Sequence, residues 1–266
     1  MKLGLGVGPT GAPGGERMID LAKEAENLGY DTIWCPEIYG MDCFTPLAWI
    51  GAHTTKINLG TSIMQISARS PASAAMHAVA MDYLSNGRLI LGIGVSGPQV
   101  VEGWYGQLYP KPLARTREWI EIFRKIIARE EPVAFDGKHY QLPLDGGTGL
   151  GKPLKLMQHP LRDHIPVYLG AEGPKNVALS AELFDGWIPM FLSPYRMGEQ
   201  YADATNKIEK PTELGTIKVE GMPILPIYIL GEKVTDEVIP VLRVGRQYID
   251  VGTREVHDFR HAFMES

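Results

Sequence analysis

The sequence is short of cysteine, of long apolar runs and of clustered positive charge, and each shortage removes a class of protein. Only Cys35 and Cys43 occur in 266 residues. Two are too few for a disulfide framework, and a chain of this length does not need one. Both are expected to be reduced thiols in a cytoplasmic protein. No stretch approaches the ~18 apolar residues of a membrane span. The formal net charge is −5 and no basic stripe appears, which argues against nucleic acid as a partner. A small anionic ligand is not excluded, because backbone N–H groups can bind one inside an acidic protein. Metal chemistry is poorly supported. The histidines do not form HExxH and the cysteines lack zinc spacing. The serine-hydrolase elbow GxSxG is missing, as are the GxGxxG dinucleotide fingerprint and the GxxxxGK[ST] phosphate loop. The opening MKLGLGVGPTG is too short and too Gly-rich for a signal peptide and reads as a first strand and its turn.

What the chain does have is 30 glycines, 20 prolines and 44% hydrophobic residues, a composition suited to many turns between buried strands. Short apolar strands alternate with amphipathic helices, the pattern of a parallel sheet with helical crossovers. Strands are predicted at 3–8, 32–35, 57–64, 88–94, 165–170, 187–190 and 222–230. Helices are predicted at 16–28, near 45–53, from Pro71 to Ser85, from about Arg115 to Arg129, from Pro174 to near Phe184, and at about 194–205. Residues 95–114 show neither period and are expected to form an ordered, functional loop. Residues 130–163 read as a surface insertion with a short hairpin. So many strand–helix units in order favour a (β/α)8 TIM barrel with insertions over an open doubly wound sheet. The chain is read as a single domain, 1–266. Its tail, about 232–266, is atypical, and the barrel is expected to be incomplete at that end, with strand edges that want a partner.

In a barrel, chemistry gathers at the carboxyl ends of the strands, and four such ends stand out. GAEGPKN (170–176) offers small residues and Pro174 as a first helical residue, with Lys175 beside it. Its N–H groups would suit a phosphate, although an ordinary strand–helix turn has the same look. GVSGPQVVEG (94–103) presents Ser96 and Gly97 as further backbone donors, followed by Glu102 and Trp104. GTSIMQISARS (60–70) ends in small polar residues and Arg69. There Gln65 and Ser67 would meet ring carbonyls or phosphate, or simply solvent. PEIYGMD (36–42) places Glu37 after Trp34 as the best acid/base candidate by position, with a structural salt bridge as its rival role. His77, in a helix of small residues, reads as a packed or hydrogen-bonded core histidine.

Three segments together carry a family resemblance: residues 34–76 (WCPEIYGMDCFTPLAWIGAHTTKINLGTSIMQISARSPASAAM), 84–106 (LSNGRLILGIGVSGPQVVEGWYG) and 165–190 (IPVYLGAEGPKNVALSAELFDGWIPM). The sequence resembles the luciferase-like flavin monooxygenase superfamily and, within it, the oxidoreductases that use the deazaflavin coenzyme F420. The resemblance implies a (β/α)8 barrel and a non-proline cis peptide at Ser62–Ile63, whose bulge supports the middle ring of the deazaflavin. It implies a cofactor phosphate held by segments matching Ser96–Gly97 and Gly173–Pro174, and Gly170, Ala171, Lys175 and Gln65 are counted with them as cofactor-binding candidates. It places Glu37, Glu102 and Trp34 near the ring or substrate, with Glu37 as the proton donor. Trp34, Ile63 and Trp104 would then form an apolar wall. The partners implied are a small-molecule substrate (an alcohol, a carbonyl compound or an activated alkene) and a second copy of the chain. An FMN-dependent monooxygenase of the same fold, and a noncatalytic flavin-binding protein, remain the alternatives. Loops 104–114 and 130–163 are expected to set the substrate.

Overall fold

The computed structural model describes residues 3–8, 15–109 and 111–190. Six parallel strands follow one another in chain order: β1 (Gly4–Gly6), β2 (Thr32–Cys35), β3 (Asn58–Thr61), β5 (Leu89–Gly94), β8 (Val167–Gly170) and β9 (Gly186–Ile188). A short strand, β4 (Met64–Gln65), continues the line of β3 and pairs with β5. Among the described residues β1 and β9 are the two ends of the sheet. The architecture is thus an α/β open half-barrel. The expected helix at about 194–205, the strand at 222–230 and the tail lie outside the described residues.

The helices arise from local signals that the sequence carries. Ser70 caps α3 (Pro71–Ser85) by accepting the Ser73 N–H at 3.2 Å, and Pro71 takes the first position, where a missing N–H costs nothing. Asn86 and Gly87, both at positive φ, end it. Helix α1 (Glu16–Asn27) buries Ile19, Ala22 and Ala25, and Gly29 at φ +78° follows it. Helix α2 (Phe44–Gly51) has Asp42 accepting the Phe44 and Thr45 N–H groups, each at 2.8 Å. Helix α5 begins at Pro112, three residues earlier than expected, and runs to Ala128. Within the stretch expected to be a loop, Pro98–Gly103 forms one short helix, α4. Six residues are too few to show a helical period, which explains the difference. The last helix described, α6, spans Pro174–Leu183.

The two faces of the sheet differ sharply in composition. Strand pairing puts Ile33, Leu59, Leu89, Leu91, Ile93, Val167 and Leu169 on one face, where each is 0–1% exposed. This is the helix side: a Cβ on Gly51 of α2 would lie 2.7 Å from Leu59. The opposite face carries Gly4, Gly6, Gly60, Gly92, Gly94, Gly170 and Gly186, and only a few large side chains. Those side chains lie over the glycines. Trp34 covers Gly60, where a Cβ would come within 2.2 Å of the indole. Tyr168 covers Gly186 in the same way, at 2.7 Å. Trp34, Ile90 and Ile188 form a buried cluster there, with Ile63 and Tyr168 packed against it.

The expected insertion hairpin is present as antiparallel β6 (Phe135–Asp136) and β7 (Gln141–Leu142). Glu118 of α5 holds its turn by accepting the Lys138, His139 and Tyr140 N–H groups. Arg162 anchors the far end of the insertion to Asp82, a fully buried carboxylate of α3.

Candidate active site

The expected third strand, 57–64, is interrupted. Ser62–Ile63 is a cis peptide and lies between β3 and β4, so the ladder stops at Thr61 and resumes at Met64. The Ile63 side chain sits where two glycines of neighbouring strands leave room. A Cβ on Gly94 would be 2.8 Å from it, and one on Gly170 2.9 Å. The structure therefore brings Ser62, Ile63 and Gly170 together with Gly94 at the carboxyl edge of the sheet. Ala171 follows, buried, its carbonyl accepting the Trp187 indole N–H at 2.7 Å.

Glu37 lies beside this bulge and is 6% exposed. Nη1 of Arg69 donates to both of its carboxylate oxygens, at 2.6 and 2.8 Å. The Gln65 backbone N–H donates to the same carboxylate at 2.9 Å, and the Gln65 side chain donates to the Glu37 carbonyl at 3.1 Å. Strand ends β2 and β4 are thus joined by two reciprocal hydrogen bonds. The Glu37 carboxylate thus accepts from a guanidinium and a backbone amide at once, a charge-assisted arrangement that fixes its orientation. The contacts formed are those of the rival role expected of Glu37, a salt bridge between strand ends. Among the described residues the side-chain amide oxygen of Gln65 and the hydroxyl of Ser67 are buried without partners.

Arg69 also stacks over the Phe44 ring at 5.1 Å, and the Trp119 indole N–H donates to its carbonyl. Burial works against the charged forms of Arg69 and Asp42. It is outweighed for Arg69 by the Glu37 hydrogen bond, and for Asp42 by the Thr45 and Phe44 N–H groups and Arg69. Burial, reinforced by Asp42 and Glu37, pushes the Cys35 thiol up to about 12, and Cys43 is raised too. Neither thiol is a nucleophile in that environment.

Trp34 is 1% exposed and belongs to the buried cluster on the glycine face, and its indole N–H has no partner among the described residues. Ser96 adopts a left-handed conformation, φ +56°, and its carbonyl accepts the Tyr109 hydroxyl at 3.1 Å. Gly97 is the residue before α4. Glu102, exposed near the end of α4, accepts the Tyr109 N–H at 3.3 Å and so ties the following loop to that helix. Gly173 precedes α6, with Pro174 first in the helix and Lys175 exposed behind it. Trp104 is exposed and meets Tyr39 with ring centroids 6.4 Å apart. His77 is exposed, contrary to the core position expected, although hydrogen-bonded to the Ser73 carbonyl at 2.7 Å.

Two residues that matter here escaped the sequence reading. Arg69 was noted only as the end of a strand segment, and its distance of 32 positions from Glu37 hides the pair. Glu172 was within a quoted segment but not singled out. Desolvation raises its pKa above the ordinary glutamate value, against the Met190 N–H that it accepts.

With this geometry in view, the profile of the luciferase-like monooxygenase family matches residues 3–217. The chain belongs to that family. Among luciferase-like relatives, Rv3520c of Mycobacterium tuberculosis, provisionally named a coenzyme F420-dependent oxidoreductase, is 58% identical over 203 residues, covering 76% of this chain and 58% of the relative. The 5,10-methylenetetrahydromethanopterin reductase of Archaeoglobus fulgidus is 34% identical over 166 residues, covering 62% and 46%. Of solved structures, an F420-dependent secondary alcohol dehydrogenase superposes with a TM-score of 0.67 at 17% identity, covering 79% of this chain and 65% of the other. At that identity it shows the luciferase-like fold alone. The chain spans about half the length of the curated relatives it matches. Among the described residues no helix is long and apolar enough to cross a membrane.

Proposed function

We propose that this protein is an F420-dependent oxidoreductase that moves a hydride between the deazaflavin and a small organic substrate. The observation that carries the reading is the Ile63 bulge, fitted over Gly94 and Gly170 at the carboxyl edge of the sheet. It offers an apolar surface, built by Ile63 over glycines, against which a planar ring would fit. Its sequence setting is 58% identical to a relative provisionally named for that cofactor. Ser62 and Ile63 would back the ring, with Gln65 at its edge and Trp34 in the floor below. Ser96, Gly97 and Gly173 would hold the anionic tail with backbone N–H groups, helped by Lys175 and the α6 dipole, while Gly170, Ala171 and Pro174 would shape its path. When bound, a deazaflavin supplies a ring carbon that accepts or returns a hydride and reacts poorly with oxygen.

The protein's own residues position and shield. The Arg69–Glu37–Gln65 clamp fixes the strand that carries the bulge. Glu37 is therefore assigned a positioning role, and Glu102 one in bracing its loop. In the oxidative direction the substrate carbon would give its hydride to the ring and its oxygen would give its proton to solvent water, so a correctly placed carbon within about 3–3.5 Å of the ring is the main requirement.

Two further readings go with this one. A homodimer is supported by α3, whose exposed positions Met76, His77, Ala80, Tyr83 and Leu84 include no carboxylate, lysine or arginine. Cytoplasmic residence is supported by two buried free thiols. Separate titrations with F420 and FMN, followed by cofactor fluorescence, test the assignment. F420 is expected to bind more tightly and to be reduced in the presence of a substrate without oxygen uptake. Tighter binding of FMN with oxygen-dependent product would replace it, and tight binding with no hydride exchange would make the protein a noncatalytic binder.

A further inference from the structure

The substrate class is written in the side chains around the site. Ile38, Tyr39 and Met41 on the loop after β2 are 47, 55 and 39% exposed, and Trp104 and Leu108 on the loop after α4 are 65 and 79% exposed. Strands β2 and β5 flank β3, so these two loops stand on either side of the Ile63 bulge. They touch through the tilted Tyr39–Trp104 pair. Exposed apolar side chains grouped at one place, not scattered, mark a binding surface. The loop folds inward next: Tyr105 has its pKa raised by desolvation and by the nearby Glu37.

The charges near this rim are engaged elsewhere. Arg69 and Glu37 neutralise each other, and Asp42 caps α2. Glu102 accepts the Tyr109 N–H. Arg115 donates to Gln107, to the Leu108 carbonyl and to Tyr140. Lys111, exposed where α5 begins, is the cation left in this part of the chain among the described residues. A phosphorylated or carboxylated substrate would have to give up water here against one lysine. An uncharged apolar one would cover five exposed side chains and gain from their burial.

We infer that the Tyr39–Trp104 rim selects an uncharged, predominantly apolar substrate, such as an aryl or alicyclic ketone or its secondary alcohol, and discriminates against sugar phosphates. The inference rests on the hydride-transfer reading of the same site, but its binding test does not. Saturation-transfer NMR on the full chain measures acetophenone and glucose 6-phosphate binding, with Tyr39→Ala, Trp104→Ala, Trp104→Phe and Lys111→Ala variants and circular dichroism as the folding control. Acetophenone is expected to bind at least tenfold more tightly than glucose 6-phosphate. Its affinity is expected to fall about tenfold in each of Tyr39→Ala and Trp104→Ala, to recover largely in Trp104→Phe, and to stay level in Lys111→Ala. Equal or tighter binding of glucose 6-phosphate, lost in Lys111→Ala, would overturn the inference. So would no acetophenone binding, or binding indifferent to both aromatic substitutions. Rim-dependent acetophenone binding without hydride exchange to F420 would leave this inference standing and remove the hydride-transfer reading.

Discussion

Glu37 can be assigned by a double-mutant cycle with Arg69. Arg69→Met leaves the Glu37 carboxylate, 3% exposed at its side chain, with the Gln65 amide as its remaining described donor. Breaking one side of a buried ion pair costs about 3–5 kcal/mol. Glu37→Gln keeps an acceptor for Arg69 and for the Gln65 amide, and Arg69 keeps the Phe44 ring and Asp42 at 4.0 Å. Its cost is expected to be smaller, about 1–3 kcal/mol. The double variant removes both charges and should be less destabilised than the sum, with a coupling of about 1–3 kcal/mol. Urea unfolding followed by circular dichroism gives each value, provided the slope stays constant across the four proteins. F420 affinity and turnover on the same proteins complete the comparison. If Glu37 positions the bulge, its variants lose cofactor affinity and stability together. Stability and affinity unchanged in Glu37→Gln, with turnover reduced by about a hundredfold or more, would refute the positioning argument and restore Glu37 as the proton donor.

Three further outcomes follow from the same geometry. A Gly92→Ala substitution would put a Cβ 2.0 Å from the Thr61 carbonyl oxygen and 2.5 Å from Ile188. Overpacking of this kind costs about 1–3 kcal/mol or more, read as a lowered Tm, whereas Gly103→Ala, with open space around it, should leave Tm unchanged. The raised pKa of Glu172 means that its carboxyl is neutral to higher pH than an ordinary glutamate. Binding of an anionic cofactor tail beside it should weaken as pH rises through that value, and Glu172→Gln should flatten the pH profile of cofactor Kd. Asp185 is opposed by burial but held below the ordinary aspartate value by His164, the Val167 N–H and Arg124. Its contribution to stability is fully present above the unfolded-state pKa and is lost as pH falls through the lower folded one. Acid unfolding of Asp185→Asn should therefore lack part of the wild-type drop below about pH 4.

Much of the fold was legible because the chain punctuates itself. Strand Thr32–Cys35 and helix Pro71–Ser85 stand where period and proline put them. What stayed hidden was the sidedness of the sheet. Segments such as LGIG and VYLG read simply as buried strands. Only the pairing register shows that their glycines share a face and that Trp34, Ile63 and Tyr168 lie across them. The candidate site was legible as segments, because strand ends rich in small residues carry recognisable patterns. The partners of individual side chains were not. Glu37 looked available from its position, and only folding brings Arg69 to it.

The crosswise bonds between Glu37 and Gln65 leave the Tyr39 loop and the Ile63 bulge without independence. Tyr39 stands two residues from the carbonyl that Gln65 grips, and Gln65 stands two residues from Ile63. Libraries that vary 38–41 to admit new compounds should therefore move the Ile63 bulge as well, and if that bulge backs the cofactor as proposed, changes in preference and in cofactor affinity should be inherited together. Varying 104 and 108 instead leaves that tether untouched, which makes the second loop the safer place to begin redesign.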